Sequence, residues 1–95
     1  MQFKQHYSGS SGNLYEVIAN NGKRLLIECG VTWPKIQKAL NYDLKHIVAC
    51  FVTHGHKDHS KALKDVRLAG IEIYASAETF KSFNMNCIFS ATSNI

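Results

Sequence analysis

Proline is nearly missing from this chain, with Pro34 the single example in 95 residues. Only six glycines accompany it, so no stretch carries the bias of a linker or low-complexity tail. Cysteine is scarce as well. The three present, Cys29, Cys50 and Cys87, are odd in number and form no CxxC pair. That argues against a disulfide framework and points to a reducing compartment. Cys29 and Cys50 sit in apolar runs and read as small buried hydrophobes. No apolar run approaches the ~18 residues of a membrane-spanning helix. The opening MQFKQHYSGSSG lacks the apolar stretch of a signal peptide. The expectation from these absences is a cytoplasmic protein without a membrane partner.

What is present is an ordinary globular composition. Hydrophobic residues make up 45%, enough to argue against wholesale disorder, and the length allows one small domain. The formal net charge is +4, with Lys57, Lys61, Lys64 and Arg67 the one local grouping of basic residues. Such a grouping reads either as a solvated helix face or as a rim attracting an anionic substrate, and charge alone does not choose between them.

Residues 2–7 alternate and predict a strand; 8–13 (SGSSGN) read as a turn or loop; 14–20 and 23–28 predict two further strands joined by Asn21-Gly22, a type I′ hairpin signal. Thr32 is a candidate N-cap for a helix with Pro34 in its first turn, an apolar stripe of Trp33, Ile36 and Leu40, and an end near Asn41. The continuous apolar run 47–53 (IVACFVT) suits a buried strand in a sheet covered by helices. A helix over 59–69 closed by Gly70, a strand over 71–75, a short helix capped by Ser76 and running to Phe83, and a short strand near 87–90 complete the order. The succession implies an α/β (α+β) domain, a mixed sheet with helices on one face.

The chemistry is concentrated in THGHKDHS, which places His54, His56, Asp58 and His59 within six residues. Zinc and similar ions take neutral imidazole and carboxylate ligands. His54 and His56, one residue apart in an extended segment, present both rings on one side. Asp58 and His59 come where the chain turns into a helix, so they can address a second ion. Two adjacent metals can share a hydroxide nucleophile and polarise the scissile group. A lone histidine is usually structural or merely exposed, which is how His6 and His46 read; four ligand-type residues packed as HxHxDH arise far less readily by accident.

HGHKDH matches the HxHxDH signature of the metallo-β-lactamase superfamily. RLLIECG resembles that family's strand motif ending in Asp-x-Gly, with Glu28 where aspartate is usual. SGSSGNLYEV, together with RLLIECGVTWPKIQKAL, is similar to the small bacterial and phage members that resemble YycJ-type hydrolases. The resemblance covers about residues 3 to 83 and implies the N-terminal half of an αββα sandwich, so that residues 1–95 form a single partial domain. It implies that His54 and His56 bind a first metal and that Asp58 and His59 bind a second. Asp58 would also orient or deprotonate the attacking water. Glu28 would support the metal loop from behind, with some backbone adjustment for its extra methylene. Ser10, Ser11 and Asn13 would lie near the pocket mouth, although a plain tight turn is the more ordinary account of them. The implied cofactor is a pair of zinc ions, with manganese or iron as alternatives. The implied substrate is a phosphodiester or nucleic acid.

A full domain of this family takes a further histidine for each ion and a bridging aspartate from a second half, and no residue in this sequence stands in for them. Three readings stay open. The chain is the N-terminal part of a metal-dependent hydrolase, active when its other half is supplied; or a non-catalytic metal-binding remnant that pairs with itself; or an unrelated binding module. In the first two, the sheet face that a second half would cover is exposed, which predicts a homodimer or a complementary C-terminal segment.

Overall fold

In the computed structural model, which describes residues 1–53, 55–82 and 91–92, the alternating segments at the start form three antiparallel strands. These are β1 (Gln2–Tyr7), β2 (Leu14–Ile18) and β3 (Arg24–Ile27). Side chains of period two divide between the faces. Leu14, Glu16 and Leu26 point to one side and are buried, while Tyr15, Val17, Leu25 and Ile27 point to the other and are half-buried. The β2–β3 turn departs from the type I′ expectation. That geometry needs positive φ at both central residues, and Gly22 alone has it, at 87°. The chain instead uses a three-residue loop closed by Gly22 N–H to Ala19 O (3.0 Å) and Ala19 N–H to Lys23 O (2.8 Å).

Beyond β3 the connections become parallel crossovers. α1 (Trp33–Ala39) leads to β4 (Ile47–Phe51). α2 (Lys57–Ser60) and α3 (Leu63–Leu68) lead to β5 (Glu72–Ala75). α4 (Ala77–Ser82) is followed by β6 (Ala91–Thr92), which pairs with β5. The strand expected near 87–90 and the helix end at Phe83 lie outside the described residues, as does Cys87. The sheet order is β1-β2-β3-β4-β5-β6, a mixed sheet. Ile36, Leu40, Leu63, Val66 and Phe80 from the helices join Leu14, Leu26, Cys50, Val52, Ile73 and Ala75 from the strands in one core cluster, so the helices cover one face, as expected. No helix among the described residues is long and apolar enough to cross a membrane.

Cys29 and Cys50 are fully buried free thiols in that core. A hydrogen bond to the Cys29 thiol, and after it burial, pushes the Cys50 thiol well above its usual range, so it stays neutral and packs as a hydrophobe. Thr32 occupies the N-cap of α1 with extended backbone, but its side chain makes no capping bond. Ser76 does cap α4, accepting the Thr79 N–H at 3.2 Å.

The sequence predicts one helix over 59–69; the structure has two, beginning earlier and broken at Lys61-Ala62. The reason is tertiary. The Ala62 N–H, which an unbroken helix would send to Asp58 O, goes to Cys29 O at 2.9 Å. The Cys29-Gly30 corner after β3 presses against α2, and the Cys29 N–H donates to His59 O at 2.8 Å. The approach is so close that a Cβ built on Gly30 would stand 1.8 Å from Asp58 O and 2.6 Å from His59 N.

At the other end of the sheet a buried carboxylate holds three elements together. Glu16 accepts hydrogen bonds from His6 Nε2 (2.9 Å) and Arg24 Nε (2.6 Å), and Arg24 also donates to the carbonyls of Asp43 and Lys45. His6 is therefore half-buried and paired, not a surface residue; His46 is exposed. Burial pushes the Glu16 carboxyl upward, but the bonds from His6 and Arg24 together carry it below its ordinary value. A carboxyl lowered by folding contributes stability above its unfolded value and loses it as pH falls through the lower folded one.

Urea unfolding of Glu16→Gln at neutral pH should show a loss of about 2–3 kcal/mol, because Arg24 loses its buried charge partner and keeps only the longer, exposed ionic contact to Asp43. Below pH 4.5 the wild type should lose stability on acidification more steeply than Glu16→Gln, and equal slopes would remove Glu16 as the acid-sensitive group. Gly30→Ala should cost more than about 4 kcal/mol or prevent folding, since backbone and not a flexible side chain stands in the way. Gly22→Ala, with nothing within 4 Å of its Cβ, should cost only about 1 kcal/mol of left-handed strain, so similar thermal midpoints for the two variants would contradict the close approach.

Candidate metal centre

The HxHxDH segment leaves the sheet at the C-terminal end of β4, where parallel strands open into loops. Pairing continues one residue beyond the strand through the Val52 N–H to Tyr74 O bond at 2.9 Å. Thr53 is next in the chain; His54 lies outside the described residues; His56 occupies the N-cap position of α2 and is exposed. Asp58 and His59 sit inside α2.

Glu28 organises this segment from behind. It stands just after β3, donates its N–H to Phe51 O at 2.7 Å, and buries its carboxylate. One oxygen accepts the Thr53 N–H at 2.8 Å. The other accepts the Thr53 hydroxyl at 2.6 Å and bonds His59 Nδ1. One carboxylate thus ties the start of the loop after β4 to the helix that carries Asp58 and His59. Glu28 has φ of 67°, a left-handed conformation that disfavours a residue with a Cβ, at a cost of about 1–3 kcal/mol.

With Nδ1 of His59 bonded to a carboxylate, the proton belongs on Nδ1 and the lone pair on Nε2, the arrangement that metal-binding histidines share. Nε2 lies 3.4 Å from Asp58 Oδ2. Two ligands at ~2.0–2.2 Å from a common tetrahedral ion stand roughly 3.4 Å apart, so this nitrogen and this oxygen fit one ion. Among the described residues no group of three or more such side chains converges.

The glycine loop has two characters. Ser10 and Ser11 are exposed. Asn13 is buried, and its side chain bonds Gly9, Tyr15 and the Asp58 carbonyl. Sequence reasoning missed Thr53 and Gly30. Thr53 has no signal beyond its place before the first histidine, whereas Gly30, two residues after the acidic residue, is the glycine of the strand motif itself.

Comparisons with known proteins fit this geometry. The fold is shared with solved structures. The BLEG-1 B3 metallo-β-lactamase superposes with a TM-score of 0.69 at 20% identity, covering 98% of this chain and 50% of that one. The short form of human tRNase Z superposes with a TM-score of 0.60 at 18% identity, covering 96% and 42%. Identities at this level establish the metallo-β-lactamase fold and nothing finer. In sequence, the anti-Pycsar protein Apyc1 of Bacillus phage 010DV004 is 43% identical over 49 residues, which is 52% of this chain and 19% of the relative. Its counterpart in Bacillus phage vB_BveM-Goe7 is 38% identical over 52 residues, 55% of this chain and 20% of the relative. The matched segment therefore spans about a fifth of these relatives. The matching family model is that of the anti-Pycsar protein Apyc1, not of YycJ. Its match runs over residues 8–89, from the glycine loop through Glu28 and the HxHxDH segment to the far side of α4, and the chain belongs to the anti-Pycsar Apyc1 family.

Proposed function

We propose that this chain supplies the N-terminal metal-binding half of a hydrolase that cleaves a phosphodiester in a nucleotide or nucleic acid. The observation that carries the reading is the His59 ring, held at Nδ1 by a buried carboxylate with Nε2 turned toward Asp58 Oδ2. In this reading His54 and His56 hold one ion while Asp58 and His59 hold the other; zinc suits the donor set, and manganese or iron would also be accepted. Bound metal would supply Lewis acidity and a water acidified to a pKa of about 7. Asp58 would orient the attacking water or accept its proton. Glu28 keeps the His59 imidazole in the ligand tautomer. Ser10 and Ser11 contact the substrate from the glycine loop. The exposed Lys57, Lys61 and Lys64 favour the approach of an anion. Membership of the anti-Pycsar Apyc1 family supports a nucleotide-directed substrate.

The site is half of a working centre, and we place the other half across the open face of the sheet. That face carries Phe3 stacked on Tyr15 (5.8 Å) and Phe51 stacked on Tyr74 (4.9 Å), with Val17, Leu25 and Ile27 between them. It is apolar and only half-buried, and the lactamase it resembles is twice as long. A second βα layer packed on this face would bring the further ligands; a second copy of this chain is the alternative occupant. The chain is proposed to act in the cytoplasm, where its free thiols stay reduced. A second reading, a non-catalytic metal-binding or self-associating remnant, draws on the same apolar open face, which suits self-association.

Purified protein should retain zinc, manganese or iron by elemental analysis, and His56→Ala with His59→Ala should lower retention at least about tenfold. A wild type that takes up no metal after supplementation would end the hydrolase reading. Cleavage of a cyclic mononucleotide or single-stranded RNA should appear once the complementary half is co-expressed; metal uptake without cleavage even then would leave the remnant reading. Light scattering should report a dimer or a complex, and Phe51→Lys should abolish it. A concentration-independent monomer, with no binding to the complementary half, would contradict the open-face proposal.

A further inference from the structure

The Asn13 side chain has spent every bond it can make. A carboxamide offers two donors and two acceptor positions. Its Oδ1 accepts from Gly9 N (3.2 Å) and from the Tyr15 hydroxyl (3.0 Å); its Nδ2 donates to Gly9 O (2.9 Å) and to Asp58 O (2.9 Å). The Asn13 backbone is committed too. Its N–H donates to Asp58 O at 2.8 Å and its carbonyl accepts from Gly30 N at 2.9 Å. Both lone pairs of the Asp58 carbonyl are therefore taken by one residue 45 positions earlier in the chain.

That carbonyl is an unusual target. Inside a helix it would accept the Ala62 N–H, which here serves Cys29 instead. Asn13 thus replaces the helical bond lost where α2 breaks, and it does so at the peptide joining the two residues whose side chains meet as an oxygen–nitrogen pair. Burial of Asn13 makes the pair of bonds local and rigid, because water does not compete for them.

We propose that Asn13 is a positioning residue for the metal centre: through two hydrogen bonds to the Asp58 carbonyl it sets the Asp58–His59 peptide in ligand geometry before a metal arrives. It does not touch substrate or metal. The proposal rests on the metal-centre reading of Asp58 and His59. No other side chain of similar size meets the requirement. Aspartate has the shape but turns a second acceptor toward the carbonyl, and alanine leaves the carbonyl with the backbone bond alone.

The test is cobalt titration of the 95-residue chain followed by the visible spectrum, with unfolding in chelator measured in parallel. Asn13→Asp and Asn13→Ala should bind cobalt about ten- to a hundredfold more weakly than wild type. Tyr15→Phe, which removes one bond to Asn13 but spares both bonds to Asp58, should keep wild-type affinity. A purely structural role predicts a lowered unfolding midpoint with unchanged cobalt affinity in the folded protein, and that result would overturn the proposal. Should neither variant fold, NMR of the wild type decides. The Asn13 side-chain amide resonances should move on cobalt or zinc addition with the same midpoint as the His59 ring resonances, and amide signals that stay still would overturn it. A wild type that binds no cobalt, with His59→Ala indistinguishable from it, would defeat the metal reading and this proposal together, whereas equal binding by wild type and Asn13→Asp would defeat this proposal alone.

Discussion

Three backbone segments meet at the carbonyl of Asp58, and most of the distinctive geometry of this chain stems from that meeting. Gly30 brings the end of β3 so near that no side chain fits between, while Asn13 brings the β1–β2 loop onto the same oxygen. A buried carbonyl must be satisfied, and here the partners come from far along the chain, not from the next helical turn. The consequences run outward from this point. The helix after the metal loop divides in two, the Cys29 carbonyl takes the N–H that the break releases, and the peptides on either side of His59 are each anchored to a different strand connection.

Two buried carboxylates repeat one device at opposite ends of the sheet. Glu16 gathers His6 and Arg24, and through Arg24 the loop before β4, so the end of the molecule remote from the metal loop is closed by charge-assisted hydrogen bonds. Glu28 gathers Thr53 and His59 at the end where β4 opens. A carboxylate out of water is tolerable only when its oxygens are bonded, and in both residues each oxygen has a partner. They differ in their partners. Glu16 is matched by a guanidinium, so its work is structural. Glu28 is matched by a hydroxyl, an amide and an imidazole, none carrying a fixed charge, which leaves its negative charge available to a cation bound on the far side of the His59 ring. The left-handed backbone at Glu28 fits that division, because strain is retained where geometry matters to function.

The elements that packing decides were legible from sequence. Alternation located β1 and β5, the turn signal at Asn21-Gly22 located β2 and β3 on either side of it, the apolar run located β4, and the helical stripe located α1, because these local patterns agree with the way each element meets the core. The candidate ligands stand out in the sequence for a different reason, the crowding of imidazoles and carboxylate in one short run, and of these the structure brings His59 Nε2 to 3.4 Å from Asp58 Oδ2. The features that escaped depend on contacts between distant residues. The break between α2 and α3 is invisible locally, since Lys61 and Ala62 are good helix formers and the cause is Cys29. Asn13 reads as a turn residue with its side chain near the pocket mouth, yet that side chain is buried on the Asp58 carbonyl. His6 reads as isolated because its partner Glu16 lies across a strand pair with a bulge between Gln5 and Tyr7.

The open face of the sheet and the incomplete ligand set are two sides of one requirement. On the covered face, the large apolar side chains of the core cluster have helical neighbours. On the other, rings stack on each other along the sheet, and Phe3 is 60% exposed. Apolar area of this kind favours association wherever a matching surface is offered. Face-to-face sheets pack about 10 Å apart, so a layer seated there with its strand ends at the β4 end would stand beside Asp58 and His59. Any donors those strand ends carried would come within reach of a metal ion held at the proposed site. The hydrophobic effect would then assemble the metal site: the free energy that drives the second layer onto Phe51 and Tyr74 is the same free energy that holds its ligands against the cluster. The pre-set Asp58–His59 peptide lowers the ordering still needed at that moment, which is why a half-site built this rigidly makes physical sense.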